Sequence, residues 1–299
     1  MHDHLAHAAI LMRSKLFVPG SRPELFAKAL RSGADAISID LEDAVLEERK
    51  EEARASTATL LDQRAGLVDG IILVVRVNGV STRHFSADLE AVARPGLAAV
   101  NLPKVESPDE IREVGSLLDR LERQRGINRP IGILANIESP RGLRLAAEIA
   151  AAHPRIIGLQ LGFGDLFEPL GIDRKDAAAV RQVQLAVRLA AGEAGVDAYD
   201  GAFASVGDMD GFRAEADHAR KLGFKGKSCI HPTQVPVANG TFCPSAEEIA
   251  FAKRVVNAWR ETESTGRGAI VVDGRMIDRP FVESARGMLR IAQQLEAVG

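Results

Sequence analysis

Short apolar runs alternate with amphipathic, charged stretches along most of this chain. The runs are rich in Val, Ile and Leu and are bounded by Gly, Pro and polar residues, a pattern that predicts buried β-strands. The stretches between them carry apolar residues at helical spacing. The predicted strands span residues 15–18, 36–39, 71–77, 98–102, 132–137, 155–161, 196–199 and 226–230.

Strands that alternate with helices pair in parallel, because each crossover helix returns the chain to the same end of the sheet. Eight such strands are the number that closes a (β/α)8 TIM barrel, so we predict an α/β fold of that type. An open, doubly wound sheet would carry a Gly-rich dinucleotide motif after its first strand. The segment VPGSRPE at residues 18–24 lacks that motif, which disfavours the open sheet.

The predicted elements divide the chain into three parts. Residues 1–12 are expected to be a flexible N-terminus, residues 13–240 the barrel, and residues 241–299 a C-terminal helical extension. The extension contains a predicted helix at 246–260, a short strand at 269–272 and a last helix that begins at Pro280. It is longer than closure of a barrel requires. We therefore expect it to pack over the active site, with the site of a neighbouring subunit as one alternative.

Composition narrows the classes of function. The chain has 299 residues, is 46% hydrophobic and has a formal net charge of -3, so it can bury a large core and has no basic excess for nucleic acid or membrane surfaces. No apolar run approaches the length of a membrane span, and no signal peptide is expected before the first strand. The two cysteines, Cys229 and Cys243, have no metal or redox spacing. A cytoplasmic protein with reduced thiols is therefore expected.

Two carboxylates follow neighbouring predicted strands. Glu138 comes directly after the run 132–137, and Asp165 follows the run 155–161 after a Gly-Phe-Gly turn. Carboxylate oxygens at the exits of adjacent strands can share a hard divalent cation, and Mg²⁺ leaves positions open for water and substrate. The alternatives are that Glu138 favours a helix N-terminus and that Asp165 caps the next helix.

Charged residues also follow nearly all of the remaining predicted strands. Active residues of TIM barrels lie at the carboxyl ends of strands, so this asymmetry predicts an anionic substrate bound beside a metal. Arg76 suits a substrate carboxylate or oxyanion, with a structural ion pair as the alternative. Lys104 is either a substrate contact or a salt-bridge partner. The residues expected to orient Arg76 and the metal's waters are Asp40, Glu42 and Asp43.

Three basic residues surround the first predicted strand. Arg13, Lys15 and Arg22 lie close to the start of the first helix, where anions bind readily. They are candidates for holding the phosphates of a substrate, and a solvated basic face is the alternative. His231 precedes a proline in a turn and is expected to be structural rather than a base.

Seven motifs, in their order along the chain, resemble the citrate lyase β-subunit-like family, which is grouped with the HpcH/HpaI aldolases and includes malyl-CoA and citramalyl-CoA lyases. The resemblance covers residues 13–294. The motifs are RSKLFVPGSRPELFAKALRSGADAISIDLEDAV, VVRVNG, NLPKVESP, ANIESPRGL, GFGDL, LGFKGKSCIHPTQV and VDGRMIDRPFVESA.

The resemblance implies a (β/α)8 barrel with Glu138 and Asp165 as Mg²⁺ ligands and Arg76 beside the metal. It also implies that Asp278 is a catalytic acid or base, carried by a tail that reaches an adjacent subunit of a homotrimer or hexamer. The chain departs from the family pattern at Gly164, where many relatives have an acidic residue, and in its sequence IESP at 137–140. Both departures lie next to the predicted metal.

The activity that the resemblance implies is reversible carbon–carbon cleavage of a β-hydroxyacyl thioester. A CoA ester such as malyl-, citramalyl- or citryl-CoA would give an α-keto acid and an acyl thioester. Three alternatives remain open: a citrate lyase subunit acting on an acyl-carrier-protein thioester, an aldolase of free keto acids, and a non-catalytic protein that binds CoA esters. Retention of the predicted site residues disfavours the last.

Overall fold

The structure is a computed structural model that describes residues 11–67, 70–263 and 268–298. The chain divides into two compact units, Met1–Phe242 and Cys243–Gly299. Of the segment 1–12 that was predicted to be flexible, residues 1–10 lie outside the described residues. Met12 is only 1% exposed and belongs to a buried cluster, so this residue packs against the barrel.

The first unit contains a closed parallel barrel in which each strand pairs with the next and β8 pairs with β1. The predicted eight-stranded barrel is therefore confirmed. The strands are β1 (Ser14–Pro19), β2 (Ala36–Asp40), β3 (Ile72–Arg76), β4 (Ala99–Leu102), β5 (Gly132–Ile137), β6 (Ile156–Leu161), β7 (Asp197–Asp200) and β8 (Gly226–Cys229).

Helices follow the strands and surround the barrel, as the alternating pattern predicts. Short 3-10 turns precede or follow some of them at Pro23–Leu25, Glu47–Arg49 and Glu168–Leu170. The helices are α1 (Phe26–Leu30), α2 (Lys50–Arg64), α3 (Phe85–Val92), α4 (Pro108–Arg125), α5 (Pro140–Arg144), α6 (Ala146–Ala151), α7 (Phe163–Phe167), α8 (Ala177–Glu193), α9 (Met209–Lys221) and α10 (Gln234–Thr241).

Two helices of the barrel unit have weak sequence signals. Helix α3 is short, and α10 contains Pro236 and Gly240, which favour loops in isolation. Both bury apolar side chains in the main core, for example Leu89 and Val235. Tertiary packing rather than helix propensity therefore stabilises these segments.

The register of the strands determines which side chains meet at the carboxyl ends of the barrel, which we call the barrel mouth. Asp40 at the end of β2 is paired with Arg76 at the end of β3. Ile137 on β5 is paired with Leu161 on β6, so the residues that follow them, Glu138 and Gly162, are also neighbours. Adjacent carboxyl ends of parallel strands thus bring together residues far apart in sequence.

The interior of the barrel is apolar at one end and polar nearer the mouth. Its lower end is filled by a buried cluster that includes Met12, Val74, Leu134 and Tyr199. Nearer the mouth, Lys15 on β1 donates a hydrogen bond to Asn101 on β4 at 2.8 Å. Since β1 and β4 are not adjacent strands, these side chains meet across the interior. A buried polar layer therefore lies between the apolar plug and the mouth.

The second unit contains a β-hairpin and two helices. Strand β9 (Ala269–Val272) pairs antiparallel with β10 (Arg275–Asp278), and the helices are α11 (Ala246–Glu263) and α12 (Arg279–Val298). The hairpin turn, Asp273–Gly274, has positive φ at both residues, 49° and 76°, as two-residue hairpin loops require. Strand β10 was not predicted. The unit has a hydrophobic cluster of its own, which includes Val255, Ile277 and Val282.

Among the described residues, no helix is both long and apolar enough to cross a membrane.

Candidate active site

A cavity of about 340 Å³ opens at the barrel mouth. It gathers residues from the ends of several strands and from α7. We call it the mouth cavity. Its lining consists of Phe17, Pro19, Asp40, Ala44, Arg76, Asn136, Glu138, Gln160, Leu161, Gly162, Phe163, Gly164, Asp165, Ala202, Ser228 and Ile230.

Glu138 and Asp165 both line this cavity, as the spacing of the strands predicts. Glu138 is 4% exposed, whereas the side chain of Asp165 is 44% exposed. Neither carboxylate caps a helix. The N-cap of α5 is Ser139, whose hydroxyl accepts a hydrogen bond from Gly142, and α7 already includes Asp165 within its span. Asp165 therefore does not cap α7, whereas a favourable interaction of Glu138 with the N-terminus of α5 stays an alternative.

The pKa of Glu138 is raised to about 7. Burial is the largest cause, because it disfavours the charged form, and the negative charges of Asp165 and Glu42 add to it. A hydrogen bond from the backbone N–H of Lys104 to Glu138 Oε1, 2.7 Å long, and the charge of Arg76 oppose the rise. A divalent cation between Glu138 and Asp165 would relieve this repulsion.

The donor set of the site fits a hard cation that keeps water in its shell. Two carboxylates, one buried and one half-exposed, supply the oxygen ligands that Mg²⁺ uses, and Mg²⁺ sites commonly take only one or two protein carboxylates. No group of three or more His, Cys, Asp or Glu side chains within the described ranges is arranged to hold a metal. The site thus lacks the fuller ligand set of a structural zinc or calcium centre.

Arg76 is held in place by carboxylates at the end of β2 and in the loop that follows it. Its Nε and Nη2 donate to the two oxygens of Asp40 at 2.7 Å each, and its Nη1 lies 2.8 Å from Glu42 Oε2. Burial opposes the charge of Arg76, but the hydrogen bonds and charge of Asp40 outweigh it and raise the pKa. Asp43 Oδ2 lies 3.8 Å from Arg76 Nη1, and the side chain of Asp43 is more than half exposed. Arg76 therefore enters the cavity as a permanent cation with a fixed orientation.

Lys104 contributes through its backbone as well as its side chain. It has a left-handed backbone conformation, with φ of 51°, in which its N–H points to Glu138. Its Nζ lies 2.8 Å from Glu42 and 3.8 Å from Asp165. Of the two alternatives for Lys104, the salt bridge is present. A contact with substrate stays a prediction. The backbone contact had no signal in the sequence.

Buried amides connect Lys15 to Glu138. Asn101 accepts from Lys15 and donates to Asn136 Oδ1 at 2.6 Å, and Asn136 Nδ2 lies 3.4 Å from Glu138 Oε2. Burial of Lys15, helped by the charge of Arg76, lowers its pKa well below the ordinary value. Sequence reasoning missed Asn101 and Asn136. Successive side chains of a strand point to opposite faces, so counting along β4 and β5 could have placed both asparagines in the barrel interior.

The structure does not bring Arg13, Lys15 and Arg22 together. Arg13 precedes β1, at the end of the barrel opposite the mouth, and pairs with Asp35 at 2.8 Å. Lys15 is 2% exposed inside the barrel, and Arg22 pairs with Glu24 in the loop after β1. A three-residue phosphate site is therefore not formed, because successive strand residues point in different directions and lie at different depths.

Other charged residues near the strand ends have structural roles. Lys227 is buried among the helices, with Asp200 at 2.6 Å and Glu215 at 2.5 Å. The Nδ1 of His231 lies 2.8 Å from the hydroxyl of Thr233 in the turn after β8, consistent with the structural role expected for it. These groups stabilise the packing of β7, β8 and α9 rather than line the mouth cavity.

Asp278 ends β10 in the second unit, paired in register with Ala269. Its Oδ1 is buried and has no hydrogen-bond partner among the described residues. Its catalytic role stays a prediction.

A closed (β/α)8 barrel whose charged side chains converge at the carboxyl ends of its strands has the organisation of a TIM-barrel enzyme. Residues 13–232 match the HpcH/HpaI aldolase/citrate lyase family, so the chain belongs to this family of carbon–carbon lyases.

Relatives resemble the chain over nearly its whole length. It is 38% identical over 296 residues to a (3S)-malyl-CoA thioesterase of Cereibacter sphaeroides strain ATCC 17029, with 98% of this chain and 99% of the relative covered. It is 34% identical over 284 residues to citrate lyase subunit beta of Escherichia coli K12, with coverage of 94% and 93%.

A solved structure agrees with the barrel. The CitE protein of Mycobacterium tuberculosis in complex with magnesium, acetoacetate and coenzyme A has a TM-score of 0.73 to this chain at 36% identity. The match covers 94% of this chain and 97% of the other.

Proposed function

We propose that this protein is a Mg²⁺-dependent lyase that reversibly cleaves a β-hydroxyacyl-CoA thioester to an α-keto acid and an acyl-CoA. The observation that carries the proposal is the convergence of Glu138, Asp165 and Arg76 on one cavity at the barrel mouth. Relatives support it: one solved structure contains magnesium and coenzyme A, and another relative is named for malyl-CoA.

Glu138 and Asp165 would hold the cation, which when bound supplies Lewis acidity and a template for the substrate's hydroxyl and carboxylate. The raised pKa of Glu138 supports this assignment, because a buried carboxylate that repels its neighbour is stabilised by a shared positive charge. The backbone N–H of Lys104 orients Oε1 of Glu138 by the 2.7 Å hydrogen bond.

Arg76 would bind the oxygen that becomes the keto group. Its two hydrogen bonds to Asp40 restrain the guanidinium before substrate arrives, so little reorganisation is needed as charge develops on that oxygen. In the cleavage direction the hydroxyl proton would pass to water, the carbon–carbon bond would break as the hydroxyl oxygen becomes the keto oxygen, and the thioester fragment would leave as an enolate.

Asp278 would complete the reaction by giving its proton to the enolate carbon, and in the condensation direction it would remove that proton. We assign this step to Asp278 of a neighbouring chain in a homotrimer or a multiple of it, as the family resemblance implies. A buried carboxylate oxygen without a hydrogen-bond partner supports a role beyond packing, because unpartnered buried polar atoms are costly.

Hydrolysis of a β-hydroxyacyl-CoA is the second candidate function. The 38% identity to a protein named (3S)-malyl-CoA thioesterase favours it. Product analysis separates the two activities. A lyase releases an α-keto acid and keeps CoA esterified, whereas a thioesterase releases free CoA and leaves the hydroxy acid intact.

The test uses purified protein with malyl-CoA, citramalyl-CoA and citryl-CoA, with and without Mg²⁺, and measures keto acid and free CoA separately. Glu138→Gln and Asp165→Asn are expected to abolish turnover and to weaken Mn²⁺ binding measured by calorimetry. Glu168→Gln, an exposed acid three residues after Asp165, is the matched control. Full activity in either site variant would exclude the proposed metal ligands.

A further inference from the structure

Two polar side chains in the lining of the mouth cavity each have a buried oxygen without a hydrogen-bond partner among the described residues. Gln160 on β6 is 3% exposed and Ser228 on β8 is 1% exposed. Gln160 Oε1 and Ser228 Oγ are both shielded from solvent and accept or donate no hydrogen bond among the described residues. We call these two residues the floor pair.

The floor pair differs from the rest of the polar layer. Lys15, Asn101 and Asn136 are linked to one another by the hydrogen bonds described above, which satisfy much of their bonding capacity. Buried polar atoms are nearly always paired, and one left unpaired costs about 1–3 kcal/mol. Two such atoms in the wall of one cavity point to a ligand group that pairs with them.

The two atoms define the chemistry of that group. Gln160 presents a carbonyl oxygen, which accepts a hydrogen bond, and Ser228 presents a hydroxyl, which donates or accepts. Both residues line the mouth cavity, so a ligand group bound there lies beside them. A ligand hydroxyl both donates and accepts, so it has the chemistry to pair with the carbonyl oxygen of Gln160 and with the hydroxyl of Ser228.

A carboxylate fits this position less well. It offers only acceptors, so it can pair with the hydroxyl of Ser228 but leaves the carbonyl oxygen of Gln160 unpaired. A methyl group or a hydrogen leaves both polar atoms unpaired.

We infer that the floor pair recognises a hydroxyl group on the acid fragment of the substrate, so the preferred α-keto acid carries a hydroxyl on the carbon next to its carbonyl. This inference rests on the proposed function, since it assumes that the acid fragment binds in the mouth cavity. It makes Gln160 and Ser228 determinants of specificity rather than catalytic residues.

The test measures binding of free keto acids to the Mg²⁺-loaded protein by calorimetry. Hydroxypyruvate and pyruvate differ only in the hydroxyl group, and oxaloacetate carries a carboxylate in its place. We expect hydroxypyruvate to bind at least about tenfold more tightly than pyruvate or oxaloacetate, the effect of one well-formed hydrogen bond. Equal or tighter binding of pyruvate or oxaloacetate overturns the inference.

Variants of the floor pair test whether these two residues cause any preference for hydroxypyruvate over pyruvate. Ser228→Ala and Gln160→Met should each reduce the ratio of hydroxypyruvate to pyruvate affinity about tenfold, with pyruvate affinity retained. Ser38→Ala is the matched control. Ser38 is likewise a buried strand serine without a partner among the described residues, and it lies outside the described lining of the mouth cavity. A ratio that is unchanged in both floor variants, or equally reduced in the control, contradicts the assignment.

The inference and the proposed function fail in different ways. If pyruvate and oxaloacetate bind in a Mg²⁺-dependent manner and hydroxypyruvate does not bind better, the inference is wrong and the lyase proposal stands. If no keto acid binds in the presence of Mg²⁺, both are wrong.

Discussion

The backbone N–H of Lys104 donates a hydrogen bond to Glu138 Oε1 at 2.7 Å, and Lys104 adopts a left-handed conformation with φ of 51° to do so. A residue with a Cβ pays for this conformation in free energy, so it persists where the surrounding structure requires it. Here the requirement is the orientation of a buried carboxylate at the barrel mouth.

The strain at Lys104 can be measured with two truncations. Lys104→Gly and Lys104→Ala both remove the Nζ contact with Glu42, so they differ in backbone preference alone. We expect the free energy of unfolding of the glycine variant to exceed that of the alanine variant by about 1 kcal/mol, because glycine adopts positive φ without steric cost. Denaturant unfolding measures the difference, and an alanine variant of equal stability would contradict the strained conformation.

Gly162 and Gly164 differ in the space around them. A Cβ on Gly162 would lie 2.0 Å from Glu138 Oε2, whereas a Cβ on Gly164 would meet nothing within 4 Å. Gly162→Ala should therefore displace Glu138, destabilise the protein by about 1–3 kcal/mol and weaken Mg²⁺ binding at least about tenfold.

Gly164→Ala is the control for Gly162→Ala, since it makes the same change in the same turn. It should leave the free energy of unfolding and Mg²⁺ affinity nearly unchanged. The open space at Gly164 also means that the absence of an acidic side chain there has no steric cause. Thermal unfolding with and without Mg²⁺ tests both variants, and equal losses in the two would refute the close packing of Gly162 on Glu138.

The stability of the metal-free protein should depend on pH through Glu138. Its pKa is about 7 in the folded protein against 4.5 for an ordinary glutamate, so the folded chain binds more protons between these values. The free energy of unfolding therefore falls as pH rises through this interval, by about 3 kcal/mol for this group. Chemical unfolding at a series of pH values should show the slope, and Glu138→Gln should lose it.

Added Mg²⁺ should stabilise the protein more at about pH 8 than at about pH 5.5, because protons compete with the cation for Glu138 at the lower pH. Differential scanning fluorimetry measures the shift in Tm. A Mg²⁺ shift of the same size at both pH values would argue against Glu138 as a ligand.

Asp278→Asn should lower kcat by about 10²–10⁴-fold with KM nearly retained, because the amide cannot exchange a proton with the enolate carbon. Asp273→Asn, on the turn of the same hairpin, is the matched control and should keep wild-type rates. A normal kcat in Asp278→Asn would remove the C-terminal unit from the mechanism.

The assignment of Asp278 to a neighbouring chain has its own test. Mixing the inactive Asp278→Asn and Glu138→Gln variants under conditions that exchange subunits should restore part of the activity. An intact barrel from the first variant then meets an intact Asp278 from the second. No recovery in mixed oligomers, confirmed by differential tagging, would place each Asp278 at its own barrel.

The sequence alone determined the barrel, since strand–helix alternation with eight apolar runs admits few parallel topologies. It also determined the choice of Glu138, Asp165 and Arg76 as candidates, because residues at the carboxyl ends of parallel strands share one end of the barrel. These inferences depend on local periodicity and on the direction of the chain, and both can be read directly from the sequence.

Only the tertiary structure decided how these side chains are held and which others join them. The pairing of Asp40 with Arg76 follows from strand register, and the contact between Lys104 and Glu138 from one backbone dihedral angle. Arg13 lies away from the mouth, and the buried oxygens of the floor pair have no hydrogen-bond partner among the described residues, because each side chain enters the barrel at a different depth. Such distances arise from packing between residues far apart in sequence, which local patterns do not encode.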